Sequence, residues 1–168
     1  MDDLLDLSRS DSGRLAIARE PVLLADQLEQ VADMARNTLQ RPLLLELPEN
    51  PIERDGIAQA DPPRLRQVLL DLIENANKYS PANTPIRLVL RQEANGFAID
   101  VIDQGIGIPE TELESVFERF RRASNAPEKT GSGLGLSVVK LLVEGMGGSI
   151  DVSSRLNQGS CFTVHLLR

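Results

Sequence analysis

The sequence predicts an α/β two-layer sandwich: a mixed, mostly antiparallel sheet of about five strands with three helices on one face. Three observations carry this. Three long segments place apolar residues at helical spacing. The strand-like segments alternate apolar and polar residues with period two. The last four of these come as two hairpins rather than as strand–helix–strand repeats, which argues against a doubly wound parallel sheet.

Residues 2–12 read as the end of a helix that stops near Gly13. Residues 14–19 alternate and predict a short strand. Pro21 then opens a helical pattern carried by Leu24, Leu28, Val31 and Ala35. A strand follows over 43–47, a turn over 48–51 and a weak strand near Gly56 to Ala60. Asp61-Pro62-Pro63 is a strong helix start, an N-cap side chain followed by Pro in the first turn. That helix runs to about Tyr79, with Leu65, Val68, Leu69, Leu72, Ile73 and Ala76 as its apolar stripe. Strands at 86–91 and 97–103 are joined by a turn at Asn95-Gly96. A short helix follows Pro109, with Leu113, Val116, Phe117 and Phe120 on one face. Residues 121–133 are polar and loop-like, and Gly133 to about Met146 is helical. Strands 149–153 and 160–167 close the chain around a turn at Asn157 to Gly159.

Composition narrows the function. The 168 residues fit one domain with a short appendage. Apolar residues make up 41% and aromatics 3%, so Leu, Ile and Val fill the core. The absence of Trp and the single Tyr argue against a stacking surface for single-stranded nucleic acid or carbohydrate. A net charge of −7 argues against a basic footprint for nucleic acid or anionic lipid. One Cys, Cys161, forms no internal disulfide. No apolar run reaches the ~20 residues of a membrane span, and nothing reads as a signal peptide. A soluble chain is expected.

Three features carry chemistry. Phe97, Ile99, Val101 and Asp103 share parity, so Asp103 points inward at its strand's end. A buried carboxylate needs donors. Gly105 and Gly107 let a backbone or ligand approach it closely, and the adenine 6-amino group is such a donor. Alone, the pattern reads more readily as an Asp capping a Gly-rich turn. On the helix ending at Tyr79, Asp71, Asn75, Lys78 and Tyr79 share one polar side. The Asn75 carbonyl suits Mg²⁺ and Lys78 a phosphate, although a solvated face has the same spacing. The segment GSGLGL, 131–136, opens a helix, where free N–H groups favour anions. No Gly-Lys-Ser/Thr follows, so it is not a Walker-A loop. The loop before it carries Arg121, Arg122 and Lys129 and reads as a lid.

In order and spacing, these segments resemble the sensor histidine kinases. QVLLDLIENANKYS (67–80) resembles their N box, DQGIGIP (103–109) the G1 box and VFERFRR (116–122) the F box. GSGLGLSVVKLLVEGMGGSI (131–150) resembles the G2 box and its sequel, and NQGSCFTVHL (157–166) their final strand. The resemblance implies the Bergerat ATP-binding fold shared with gyrase, Hsp90 and MutL-type ATPases. Residues 4–15 resemble the end of the second dimerisation helix and its linker. The implied division is 1–13 for that helix end and 14–168 for the catalytic domain. The implied nucleotide contacts are Asn75, Lys78, Tyr79, Asp103, Gly105, Gly107, Ile108, Phe120, Arg122, Gly131, Gly133, Leu134, Gly135 and Leu136, with Asn75 also the Mg²⁺ ligand. Implied partners are the dimerisation domain and a response regulator, with no nucleic acid or membrane contact. The implied setting is cytoplasmic, and the isolated domain is expected to be a monomer.

Two departures matter. His165 is the only His and lacks the acceptor's flanks, so the phosphoacceptor is expected outside residues 1–168 and no self-phosphorylation is expected. Asp71 stands where Asn is common, one turn before Asn75. In the gyrase-type ATPases a Glu there activates water, so slow ATP hydrolysis supported by Asp71 is a hypothesis; equal basal ATPase in wild type and Asp71→Asn sinks it. Other readings are a same-fold serine kinase or ATPase, and a silent nucleotide-sensing module.

Overall fold

The structure is a computed structural model that describes residues 5–6, 8–9, 16–119, 123–125 and 135–168. Strands β1 (Glu20–Leu23) and β3 (Ile57–Ala60) form a two-stranded antiparallel sheet. The main sheet has five strands, β2 (Leu43–Glu46), β4 (Ile86–Glu93), β5 (Gly96–Ile102), β7 (Gly159–Leu167) and β6 (Ser149–Arg155), in that spatial order. Only β2–β4 is parallel. Helix α1 (Leu24–Arg36), a single turn α2 (Pro51–Arg54), α3 (Pro62–Tyr79) and α4 (Gly135–Gly145) complete the layer pair. The predicted sandwich, its strand number and its three longer helices are what the structure has.

The period-two pattern sets which sheet face is covered. Leu88 pairs with Val101 and Val101 with Phe162, so apolar side chains line up across three strands. Against them lie Leu24, Leu28 and Val31 of α1, Leu65, Leu69 and Leu72 of α3, and Val138, Leu142 and Val143 of α4, all in one buried cluster. Burying each such Leu is worth about 1.5–3 kcal/mol relative to exposure. Helix α3 touches α1, α4, β4 and β5, so it sits in the middle of the helical layer. Asp61 caps it as predicted, Oδ1 accepting from Arg64 N at 3.3 Å.

Several local expectations are corrected. Residues 16–19 form no strand. The Ala18 N–H instead donates to Asp61 Oδ2 at 2.9 Å. Pairing begins at Glu20 opposite Ala60. Pro21 does not open the helix; it lies in β1, an edge strand that tolerates a missing N–H, and α1 starts at Leu24. The first hairpin turns at Ala94 and Asn95, because Glu93 already pairs with Gly96. Residues Glu110–Ser115 are a 3₁₀ helix. Gly133, the predicted start of the last helix, lies outside the described residues, and the described helix spans Gly135–Gly145.

Candidate functional site

The site grows from the ends of α3 and β5. Asp103 follows β5 and is 6% exposed. Its Oδ1 accepts from Gly105 N at 2.8 Å and from Ser160 N at 3.2 Å. Both donors thus converge on one oxygen, leaving Oδ2 clear of them. Burial pushes the Asp103 carboxyl above the usual carboxylate range. The Gly105 and Ser160 N–H groups, Ser80 and the charge of Arg41 pull it back only in part. Ser80 Oγ is buried and makes no hydrogen bond of standard geometry, yet lies near enough to favour the charged carboxylate. A buried acceptor and an unsatisfied buried hydroxyl side by side fit a ligand with donors and acceptors on one flat edge.

The glycines are needed here for close approach. A Cβ on Gly105 would collide with the Tyr79 carbonyl oxygen, and Gly107, at φ 72°, lies against the Arg155 carbonyl. The same Tyr79 oxygen accepts from Ile106 N at 3.0 Å. The Gly-rich loop is therefore stitched directly to the end of α3, the helix that carries Asn75 and Lys78. Asn75 and Tyr79 are half-buried. Lys78 is exposed and pairs with Glu74 at 3.4 Å. Ile108 donates its N–H to Ser154 Oγ at 2.8 Å, and that hydroxyl also meets Gly159 O and Ser160 Oγ.

Gly135 and Leu136 open α4, which packs beside α3. Phe120, Arg122, Gly131, Gly133 and Leu134 lie outside the described residues. Phe117 stacks edge-on to Phe162 at 6.1 Å, anchoring the segment after the 3₁₀ helix. Beyond it, Asn125 Nδ2 donates to Gly107 O at 3.0 Å and Ser124 bonds Glu112. Part of the expected lid is thus tied to the Gly-rich loop.

A shallow cleft of about 240 Å³ opens at Asp103 between Ser153, Arg155, Gln158, Ser160 and Cys161. Of the predicted residues that the structure describes, only Asp103 lines it. Ser80, Ser154, Ser160 and Arg41 were missed by sequence reasoning. Ser160 alone had a signal, its place directly after the Asn157–Gly159 turn that meets the G1 segment. His165 sits on the open sheet face, between Glu93 at 2.9 Å and Asp151 at 2.8 Å. Among the described residues, no helix is long and apolar enough to cross a membrane.

The comparisons agree with this geometry. Residues 60–168 match the family model for histidine kinase-, DNA gyrase B- and HSP90-like ATPases. The circadian input-output histidine kinase CikA of Synechococcus elongatus is 36% identical over 98% of this chain and 22% of its own length. The sensor histidine kinase WalK of Bacillus subtilis is 33% identical over 99% of this chain and 28% of its own. The chain thus spans less than a third of these curated relatives. Among solved structures, the mycobacterial sensor histidine kinase MprB superposes with a TM-score of 0.75 at 28% identity, over 89% of this chain and 97% of that one. Full-length ShkA, solved in complex with AMPPNP, gives 0.77 at 26% identity, over 99% and 35%. A two-layer sandwich with a buried Asp beside a Gly-rich loop, matched throughout by sensor kinases, places the chain in the histidine kinase-, DNA gyrase B- and HSP90-like ATPase family, as a histidine kinase-type ATPase domain.

Proposed function

We propose that this domain binds Mg-ATP and donates the γ-phosphoryl group to a histidine on a dimerisation domain outside residues 1–168. From there the group would pass to an aspartate of a response regulator. The observation that carries the reading is the Asp103 carboxylate: buried, held through Oδ1 by two backbone N–H groups, with Oδ2 left for an exocyclic amine. Guanine presents an acceptor at that position and would be repelled.

Asn75 would supply one amide oxygen to Mg²⁺, an ion that takes its other ligands from phosphate and water. The ion's chemistry there would be to neutralise charge on the phosphates. Lys78, Gly133 and Gly135 would contact phosphate, with Arg122 as a lid contact. Tyr79, Gly105, Gly107, Ile108, Gly131, Leu134 and Leu136 would line the nucleotide, and Phe117 and Phe120 would anchor the lid. Phosphoryl transfer needs positioning and charge stabilisation more than covalent chemistry, so such a domain can hold half of an active centre. Residues 1–13 would be the end of a dimerisation helix. In support, Leu5, Asp6, Ser8 and Arg9 are helical, and Asp6 accepts from Arg64 and Gln67 on α3. A reaction fed by ATP suits the cytoplasm.

The test mixes the domain, γ-labelled ATP, Mg²⁺ and a separate dimerisation-helix fragment. Acid-labile label should appear on the fragment's histidine and vanish with Asn75→Ala. Label on a serine, or release of free phosphate alone, would replace this reading with the serine kinase or the ATPase.

A further inference from the structure

Arg41 lies 62 positions before Asp103 in the sequence, just before β2, and carries none of the family-like motifs. Its half-buried guanidinium reaches across to the end of α3. Nη2 donates to Asn77 O at 3.3 Å and Ser80 O at 3.1 Å. Nη1 donates to Pro81 O at 2.9 Å and to Thr84 O and Oγ1 at 3.4 and 3.5 Å. Every one of these partners is a neutral oxygen, and Asn77 and Ser80 supply carbonyls at the helix end, where the dipole is negative. On its other side the same turn touches the candidate site. Tyr79 O accepts Ile106 N, and the Ser80 hydroxyl lies by Asp103.

We infer that Arg41 is a positioning residue for nucleotide recognition: its guanidinium fixes the α3 end against the Gly-rich loop and lends positive charge to the adenine-reading carboxylate of Asp103. The inference rests on the nucleotide reading of the site. A plain helix cap would hold the turn without acting on Asp103. Here the two roles are joined, because Ser80 offers its carbonyl to Arg41 and its side chain to Asp103. Other groups near Asp103 are the Gly105 and Ser160 N–H donors, and Arg155 and Cys161 in the adjoining cleft. Among these groups the Arg41 charge favours the ionised form of the carboxylate. An ionised Asp103 accepts an amine better than a protonated one, so removing the Arg41 charge should weaken binding from the acid side.

The test uses Arg41→Gln, which removes the charge, and Arg41→Lys, which keeps it but cannot fork to four carbonyls. Carbon NMR follows the Asp103 carboxyl midpoint in the nucleotide-free domain, and calorimetry follows ADP affinity against pH. Arg41→Gln should raise the midpoint and carry the acid limb of ADP binding upward with it. Affinity near neutral pH should fall about tenfold, as for loss of one hydrogen bond to a charged group. Arg41→Lys should leave the midpoint near wild type while weakening ADP. An unmoved midpoint in Arg41→Gln, or the same rise in both variants, overturns the inference. If Arg41→Gln does not fold, Arg41→Lys decides: unchanged ADP affinity, or a midpoint raised well above wild type, overturns it. A wild-type domain that binds no ADP overturns the nucleotide reading itself, and this inference with it.

Discussion

Two aspartates three residues apart on β5 and its end are equally covered, each 6% exposed, and their carboxyls are displaced in opposite directions. Asp100 faces the open side of the sheet. Burial alone would raise its pKa, but Arg91 grips both oxygens at 2.6 and 3.0 Å and Thr163 adds a 2.7 Å bond, so it ends below the usual range. Asp103 faces the helical layer, its hydrogen bonds come from the backbone N–H groups of Gly105 and Ser160, and it ends above that range. The difference teaches that covering a carboxylate does not fix its role. A bidentate guanidinium completes Asp100 and makes it structural. Asp103 is left incompletely compensated, and incompletely compensated groups are what ligands complete.

The sharpest way to break this contrast is to neutralise each carboxylate in turn. Asp103→Asn keeps an Oδ1 acceptor for Gly105 and Ser160 but turns the other atom into a donor facing the adenine amine. ADP affinity should fall about 100-fold, roughly 2.7 kcal/mol, with the melting temperature held or raised. Asp100→Asn should do the reverse, leaving ADP binding intact and costing about 1–2 kcal/mol of stability, a figure discounted because Arg91 is half exposed. Calorimetry and thermal melts on the same samples read both. Loss of ADP binding in Asp100→Asn, or of stability in Asp103→Asn, would end the distinction.

Acid unfolding sharpens it further, with a smaller effect. Asp100 has its folded pKa depressed, so its contribution is present above the unfolded value of 3.8 and is lost as pH falls through the lower folded value. Asp103 has the opposite sign. Its charged form disfavours folding, so acidification through its raised pKa relieves a cost. As pH falls toward 3.8, wild type should therefore gain on Asp103→Asn in melting temperature, and below 3.8 it should lose its lead over Asp100→Asn. Parallel curves for all three proteins would contradict the assignment.

The smallest expected effect is at His165. Burial lowers its pKa, but Glu93 and Asp151 outweigh that and raise it above 6.5. Its contribution is complete below 6.5 and is lost as pH rises through the folded value. His165→Gln should cost under about 1 kcal/mol at pH 6 and nothing at pH 9. A constant cost across that range would mean that shape, not charge, matters there.

Much of this arrangement is legible in the chain because its causes are local. The stripe from Leu65 to Ala76, the Asp61 cap and the inward parity of Asp103 each depend on a few neighbours, and each is where periodicity puts it. Residues 14–19 mislead for a physical reason. Alternation predicts a strand, yet the described part, 16–19, spends the Ala18 N–H on the Asp61 cap rather than on a ladder. Arg41 is invisible to any local rule. Its partners lie 36 to 43 positions away and are mostly backbone carbonyls, which carry no sequence signal. Ser80 is likewise ordinary in sequence and acquires meaning only once α3 ends against the Gly-rich loop.

That seam also supplies its own reporter. The protein has no Trp and a single Tyr, Tyr79, the residue whose carbonyl joins α3 to Ile106. With excitation at wavelengths beyond the phenylalanine band, its ultraviolet emission therefore arises from one ring, half-buried beside the loop that would meet a nucleotide. Quenching by a bound base, or a shift on loosening the helix end, can be followed in the unlabelled native chain, without a dye and without a second fluorophore to subtract.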